Sequence, residues 1–105
     1  MKVLFVSSKE LPVKWDLLQN EITISRSYDS TIQKLKKYDY DIIDLDLDLE
    51  DVYSGKDIIR SLLNNENQVQ KIYLHSKNQE KIMQIVKMIH NYSSYDIQFD
   101  FYKNL

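Results

Sequence analysis

The sequence predicts a parallel α/β sheet of five strands, doubly wound with helices. Three observations carry that expectation. Strand-like and helix-like segments alternate along the chain in the order βαβαβαβαβ, the pattern of crossover-connected parallel sheets. The first segment, Lys2-Val3-Leu4-Phe5-Val6, is a continuous apolar run, as expected of a strand covered on both faces. The third strand segment alternates strictly between aliphatic residues and Asp from Ile43 to Leu49. That period of two is a strand signature, because successive side chains point to opposite faces.

The elements follow in order. After the first strand, Pro12 can open a short helix reaching Asn20, since proline suits the first helical position. Glu21 to Arg26 reads as the second strand. Ser27 is placed to cap a helix carrying Tyr28, Ile32 and Leu35. The acidic strand comes next. Ser54-Gly55 then leads into a helix whose Ile58, Ile59, Leu62 and Leu63 form one apolar stripe. Val69 to His75 is the fourth strand. Ser76, followed three residues later by Gln79, has the spacing of a capping box, and its helix aligns Ile82, Ile85, Val86 and Ile89. Tyr95 to Tyr102 alternates again and forms the last strand, with no helix after it.

Composition bounds the function. The 105 residues suit one domain spanning 1–105, with 43% hydrophobic and 29% charged residues. The absence of Cys excludes a thiolate nucleophile and a Cys-based zinc site. No apolar run approaches a membrane span and no signal peptide precedes the first strand, so a cytoplasmic location is expected. A net charge of −2 gives no general DNA-binding signal. The acids are nevertheless concentrated. Eight of the sixteen lie between Asp39 and Asp57, where Lys56 is the only basic residue. Abundant Tyr, Asn, Ile and Lys suggest an AT-rich bacterial or phage genome. No Walker loop, dinucleotide fingerprint, His-Glu-x-x-His or nucleophile elbow is present.

On one extended strand, Asp44, Asp46 and Asp48 would share a face at steps of about 6.5–7 Å. Two carboxylates at that distance repel by roughly 2–2.5 kcal/mol at an effective dielectric near 20. Such acids are either solvated or meet something positive. In a doubly wound sheet the ligand crevice lies at the carboxyl ends of the strands. Those ends bring together Ser7-Ser8, Arg26-Ser27, Asp46-Leu47-Asp48, His75-Ser76 and the Tyr102-Lys103 end. Asp46 and Asp48 are candidates for cation binding, phosphoryl acceptance or acid–base work. Asp44 lies deeper and is expected to pair with a basic or hydroxyl group. His75, with an ordinary pKa near neutrality, can protonate a leaving oxygen or hold a phosphate. Arg26 can clamp a phosphate or pair with Asp46 or Asp48. Ser76 and Asn78 open a helix whose N–H groups favour anions. Lys77, Lys81 and Lys87 are expected on a solvated face beside the site.

These residues resemble those of the response-regulator receivers. Tyr40 to Asp46 looks like the third receiver strand, with Asp46 at the phospho-acceptor position. Gly55 sits where receivers turn into their third helix, and Ser76 is similar to the Ser or Thr ending strand four. The cyclic-phosphate processing receivers resemble the chain more specifically. Their Leu-Asp-His-Asp-Leu core and Gly turn correspond to Leu45-Asp46-Leu47-Asp48-Leu49 and Ser54-Gly55-Lys56-Asp57. Their His-Ser-x-Asn corresponds fully to His75-Ser76-Lys77-Asn78. Arg26-Ser27 with Asp29, and Pro12 with Trp15, fit as well. The chain departs from the pattern where the strand-one acid pair falls on Val6 and Ser7, where Lys9 replaces Arg, and where Leu47 replaces the central His.

The resemblance implies a flavodoxin/receiver-like fold that binds, and in one version hydrolyses, a cyclic nucleotide or cyclic phosphate ester. Asp46, His75 and Asp48 would be catalytic. Arg26, Ser76, Asn78, Ser7 and Lys77 would bind the ligand. Mg²⁺, if used, would rest on Asp46 and Asp48. The alternatives are an inactive binding module, sequestering a nucleotide signal in a phage–host conflict or holding a protein partner, and a receiver phosphorylated on Asp46. Homo-oligomerisation is compatible with each.

Overall fold

The computed structural model describes residues 1–9, 15–16, 18–50, 52–64, 69–92 and 96–101, the side chains of 92 and 96–101 excepted. Its elements are β1 (Lys2–Val6), β2 (Glu21–Ser25), α1 (Tyr28–Lys37), β3 (Ile42–Asp46), α2 (Gly55–Asn64), β4 (Lys71–Ser76), α3 (Gln79–Tyr92) and β5 (Asp96–Phe101). The sheet order is β2-β1-β3-β4-β5, and every neighbouring pair is parallel. Order reverses between β1 and β3, so the carboxyl ends of those strands flank the switch point. No described helix is long and apolar enough to cross a membrane.

One sheet face carries the apolar core. Leu4, Val6, Ile43, Leu45, Ile72 and Leu74 alternate inward on three strands and meet Leu35, Ile58, Ile59, Leu62, Ile82, Ile85 and Ile89 from the helices. Each fully buried Leu or Ile contributes roughly 1.5–3 kcal/mol relative to exposure. The apolar stripes of α1, α2 and α3 therefore dock on the same side, with α1 against α2 and α2 against α3. The helix expected from Pro12 and the chain end after Phe101 fall largely outside the described residues. At the described end of that first segment, Gln19 and Asn20 donate to the Asp16 carbonyl in a turn.

The opposite face is different. Val3, Phe5, Ile42, Asp44, Tyr73 and His75 follow the complementary parity on β1, β3 and β4. Trp15 reaches this face: its indole packs edge-on against Tyr73, with centroids 6.2 Å apart. Of the two expectations for the acids, solvated or partnered, the described part of β3 takes the second. All five β3 residues are buried, including Asp44 at 0% exposure and Asp46 at 7%. The reason is position: β3 is the central strand, flanked by β1 and β4.

The caps divide into one expected and one not. The Ser27 side chain accepts from Ser30 N at 3.2 Å and starts α1, as the sequence predicts. For α3 the cap is Asn78, not Ser76. Asn78 Oδ1 accepts from the Glu80 and Lys81 amides at 3.0 and 3.3 Å. The Ser76 hydroxyl is drawn elsewhere, into the site.

Candidate functional site

β3 ends at Asp46, and the Leu47 amide adds one more ladder bond to the His75 carbonyl, 2.9 Å. The chain then turns. Asp46 Oδ1 accepts from the Asp48 amide at 2.8 Å, which pins the turn to the strand end. Gly55 lies directly beneath, because α2 starts there with Ser54 as its cap and Asp57 accepting from the Ser54 amide at 2.8 Å. A Cβ on Gly55 would lie 2.9 Å from Leu47 Cα and 3.1 Å from the Asp46 carbonyl oxygen. Close backbone approach is what requires glycine at this position.

Above the turn opens a cleft of about 380 Å³ lined by Ser8, Lys9, Asp46, Asp48, Glu50, Lys77, Asn78 and Lys81. The sequence places Asp46, Asp48, Lys77 and Asn78 there. Ser8, which the sequence also brings to that edge, lines it as well; Glu50 is left out, and Lys81 is expected only beside the site. Lys81 had been expected on a solvated helix face. Instead it points from the first turn of α3 into the cleft and meets Asp48 Oδ1 at 3.0 Å. Its spacing of three from Asn78 is the signal that could have placed it beside the cap. Lys9 pairs with Glu50 at 2.6 Å, and the Glu50 amide donates to Ser8 Oγ at 3.1 Å. The Glu50 carboxylate, chiefly by its hydrogen bond, holds the Lys9 pKa above its usual value. An exposed pair of this kind adds little stability.

Asp48 is the most fully engaged acid. Ser76 Oγ donates to its two oxygens at 2.8 and 3.0 Å, the Lys77 amide donates to Oδ2 at 2.8 Å, and Lys81 Nζ donates to Oδ1 at 3.0 Å. Partial burial pushes its pKa up. The Lys77 amide, Lys81 and Ser76 outweigh that effect and hold it below the ordinary 3.8. A depressed folded-state pKa means the unfolded chain binds more protons as acid is added. Asp48 thus contributes stability above about pH 4, which is lost as pH falls through its folded pKa. Denaturant midpoints measured from pH 5 to pH 2 should fall less steeply for Asp48→Asn than for the parent. Equal slopes would show that these donors do not favour the charged form.

His75 occupies a different place from the one expected of a catalytic group. In register it neighbours Asp46, but it is 4% exposed and does not line the cleft. Its Nε2 lies 2.6 Å from Asp44 Oδ1, and its ring stacks near Phe5 with centroids 6.1 Å apart. Trp15 Nε1 donates to the other Asp44 oxygen at 2.6 Å. Asp44 therefore lies between the imidazole, in close contact, and the indole, whose N–H it accepts. The expectation that it is paired stands; its partners are an imidazole and an indole rather than a Lys, Arg or hydroxyl.

Arg26 does not line the cleft either. Its Nη1 donates to the Ser7 carbonyl at 3.0 Å. Ser7 Oγ donates to Asp46 Oδ2 at 3.3 Å, and the Ser7 amide bonds the Ser25 carbonyl. Ser7 thus supports Asp46 from β1, where an acid would have supplied a second carboxylate.

Mg²⁺, if used, would fall to Asp46 and Asp48, the two expected carboxylates, both of which line the cleft. Magnesium takes near-octahedral oxygen coordination and is usually held by one or two carboxylates plus waters or substrate phosphate. Among the described residues no group of three or more His, Cys, Asp or Glu is placed to hold a metal ion together. Asp48, one of the two expected ligands, is committed to a hydroxyl, an amide and an ammonium.

The switch-point cleft, the Gly55 turn and the His75-Ser76-Lys77-Asn78 strand end point to one family, and its model, the cyclic-phosphate processing receiver domain, matches residues 5–91. The chain belongs to that family. Solved structures share the receiver fold at low identity. A Burkholderia pseudomallei response regulator, solved with a phosphorylated aspartic acid, calcium ion and citrate, superposes with a TM-score of 0.75 at 15% identity; 99% of this chain and 61% of that one are covered. The receiver domain of a Francisella response regulator gives 0.72 at 15% identity, covering 94% and 83%. A phosphorylated cyanobacterial phytochrome response regulator gives 0.72 at 13%, covering 93% and 78%. No curated protein matches the chain. Within this receiver, Asp46 keeps its place at the end of β3 and Ser76 at the end of β4.

Proposed function

We propose that the cleft beside Asp46 binds the phosphate of a small cyclic phosphate ester or cyclic nucleotide, as a binding module. The observation that carries this reading is the convergence of Lys9, Lys77, Lys81 and the α3 N-terminus on one cleft at the carboxyl edge of the sheet. Cations and helix-end N–H groups are the features that attract phosphate. Family membership supports the class of ligand.

Binding is favoured over hydrolysis because the expected proton donor, His75, is buried against Asp44. Asp46 and Asp48 are then the remaining candidate bases; Asp46 already accepts from the Asp48 amide and Ser7 Oγ, and Asp48 from Ser76, Lys77 and Lys81. A general base must reach the proton it removes.

The test is a panel of linear, 2′,3′-cyclic, 3′,5′-cyclic and cyclic-oligonucleotide ligands, each with and without divalent metal. Thermal shift is recorded and the nucleotides are analysed after denaturation. A cyclic ester should stabilise the protein, by about 2.7 kcal/mol at a hundredfold excess over Kd, and be recovered unchanged. Lys81→Ala should weaken that effect. Product formation would restore the hydrolase reading, and no shift with any ligand would end the nucleotide reading.

Asp46 at the end of β3 also leaves a phospho-acceptor reading, since two of the fold neighbours are phosphorylated response regulators. Acetyl phosphate with Mg²⁺ would then add a phosphoryl group to Asp46, detectable by mass spectrometry.

A further inference from the structure

Within the cleft, one carboxylate already sits where a phosphate would bind. Its three donors come from separate parts of the fold: the buried Ser76 hydroxyl at the end of β4, the Lys77 amide at the entrance to α3, and the Lys81 ammonium one turn into α3. They converge on the two oxygens of Asp48 within 2.8–3.0 Å. A hydroxyl, a main-chain amide and an ammonium aimed at one point form an oxyanion-receiving set, suited to any compact anion with oxygens at that spacing. Asp48 is not needed to seal the core, because its side chain remains 28% exposed. Its backbone is fastened separately, through its amide to Asp46 Oδ1. The side chain can therefore rotate away without releasing the turn.

The geometry points to Asp48 as a tethered anion: it occupies the phosphate position of the cleft, and a phosphate ligand binds by displacing its carboxylate from Ser76, Lys77 and Lys81. This inference rests on the phosphate-binding reading above and adds an autoinhibitory contact to it. A tethered competitor acts at high effective concentration, so it lowers apparent affinity in proportion to the fraction of open cleft. It also sets a threshold. Weak, singly charged anions fail to displace it, while a phosphate ester carrying more charge and more acceptor oxygens succeeds.

The experiment uses inorganic phosphate as the probe, at constant ionic strength, with ¹H–¹⁵N amide shifts of Lys77 and Asn78 as the readout. The parent, Asp48→Ala, Asp48→Asn and Asp48→Ala/Ser76→Ala are titrated in parallel. Asp48→Asn keeps the size of the side chain and guards against misfolding in the alanine variant. Asp48→Ala should bind phosphate at least tenfold more tightly than the parent, Asp48→Asn should also gain, and removal of Ser76 should cancel most of the alanine gain. If the parent binds phosphate and both Asp48 variants bind it equally or less well, the tethered-anion inference is overturned while the cleft reading survives. If neither the parent nor any variant binds phosphate or a cyclic ester, both fall together.

Discussion

Asp44→Ala is expected to destabilise the protein by about 2–5 kcal/mol, because it removes the buried acceptor of a polar cluster, and each group left unsatisfied costs about 1–3 kcal/mol. Asp44 is fully buried on the central strand, lies 2.6 Å from His75 Nε2 and accepts from Trp15 Nε1. The alanine leaves the imidazole and the indole N–H without the carboxylate they shared. A total stability of about 5–15 kcal/mol makes such a loss visible in any denaturant titration. Trp15 is the only tryptophan in the sequence, so its emission reports the network directly. The variant should show altered native-state fluorescence as well as a lower midpoint. Replacing Asp44 and His75 together by Leu should recover part of the loss, because the imidazole is then removed along with its buried polar neighbour. A single Asp44→Ala variant within 1 kcal/mol of the parent would mean that this network contributes little.

The second large effect is expected at Gly55→Ala. Alanine is ordinarily the better helix residue, and glycine is disfavoured by about 1 kcal/mol in a helix interior. Here the sign reverses. The added methyl carbon would stand 2.9 Å from Leu47 Cα and 3.1 Å from the Asp46 carbonyl, and both are backbone atoms that cannot rotate away. Overpacking of this kind costs about 1–3 kcal/mol. It also pushes on the turn that holds Asp46 and Asp48, so amide shifts at Leu47 and Asp48 should move and phosphate-ester binding should weaken. Gly55→Val should be worse on both counts. An alanine variant as stable as the parent, with unchanged shifts, would show that the turn yields freely.

Much of the fold was legible because local and global preferences agree. The stripe of Ile58, Ile59 and Leu62 faces the sheet, as does that of Ile82, Ile85 and Ile89. Ser27 caps α1 because nothing competes for its hydroxyl in a way that prevents it. Ser76 has an equally good local signal and does not cap α3. Asp48, 28 residues earlier, claims its hydroxyl, and Asn78 takes over the cap. A spacing rule sees residues three apart and cannot see that competition.

The acidic strand teaches the same lesson at the site. Alternation correctly marked a strand, and parity correctly grouped Asp44 with Asp46. Exposure was left open, since an aliphatic–polar alternation looks alike whether the polar face meets water or a buried network. Burial of Asp44 required Trp15, 29 residues away in sequence, to supply one of its donors. The useful signal was present but weak: an indole N–H and a lone imidazole each need a partner, and a central-strand Asp needs donors.

By itself, the sequence determined the order of the described elements, the apolar faces that pack them, and the placement of Asp46 and His75-Ser76-Lys77-Asn78 at or just past strand ends. Those follow from periodicity and residue type, which act over a few positions. Only the tertiary structure decided that Asp44 and His75 close a buried network, that Lys81 enters the cleft, and that Asp48 fills the oxyanion-receiving set. Each is a choice among several partners within reach, and which partner wins depends on distances across the sheet that the linear order does not contain.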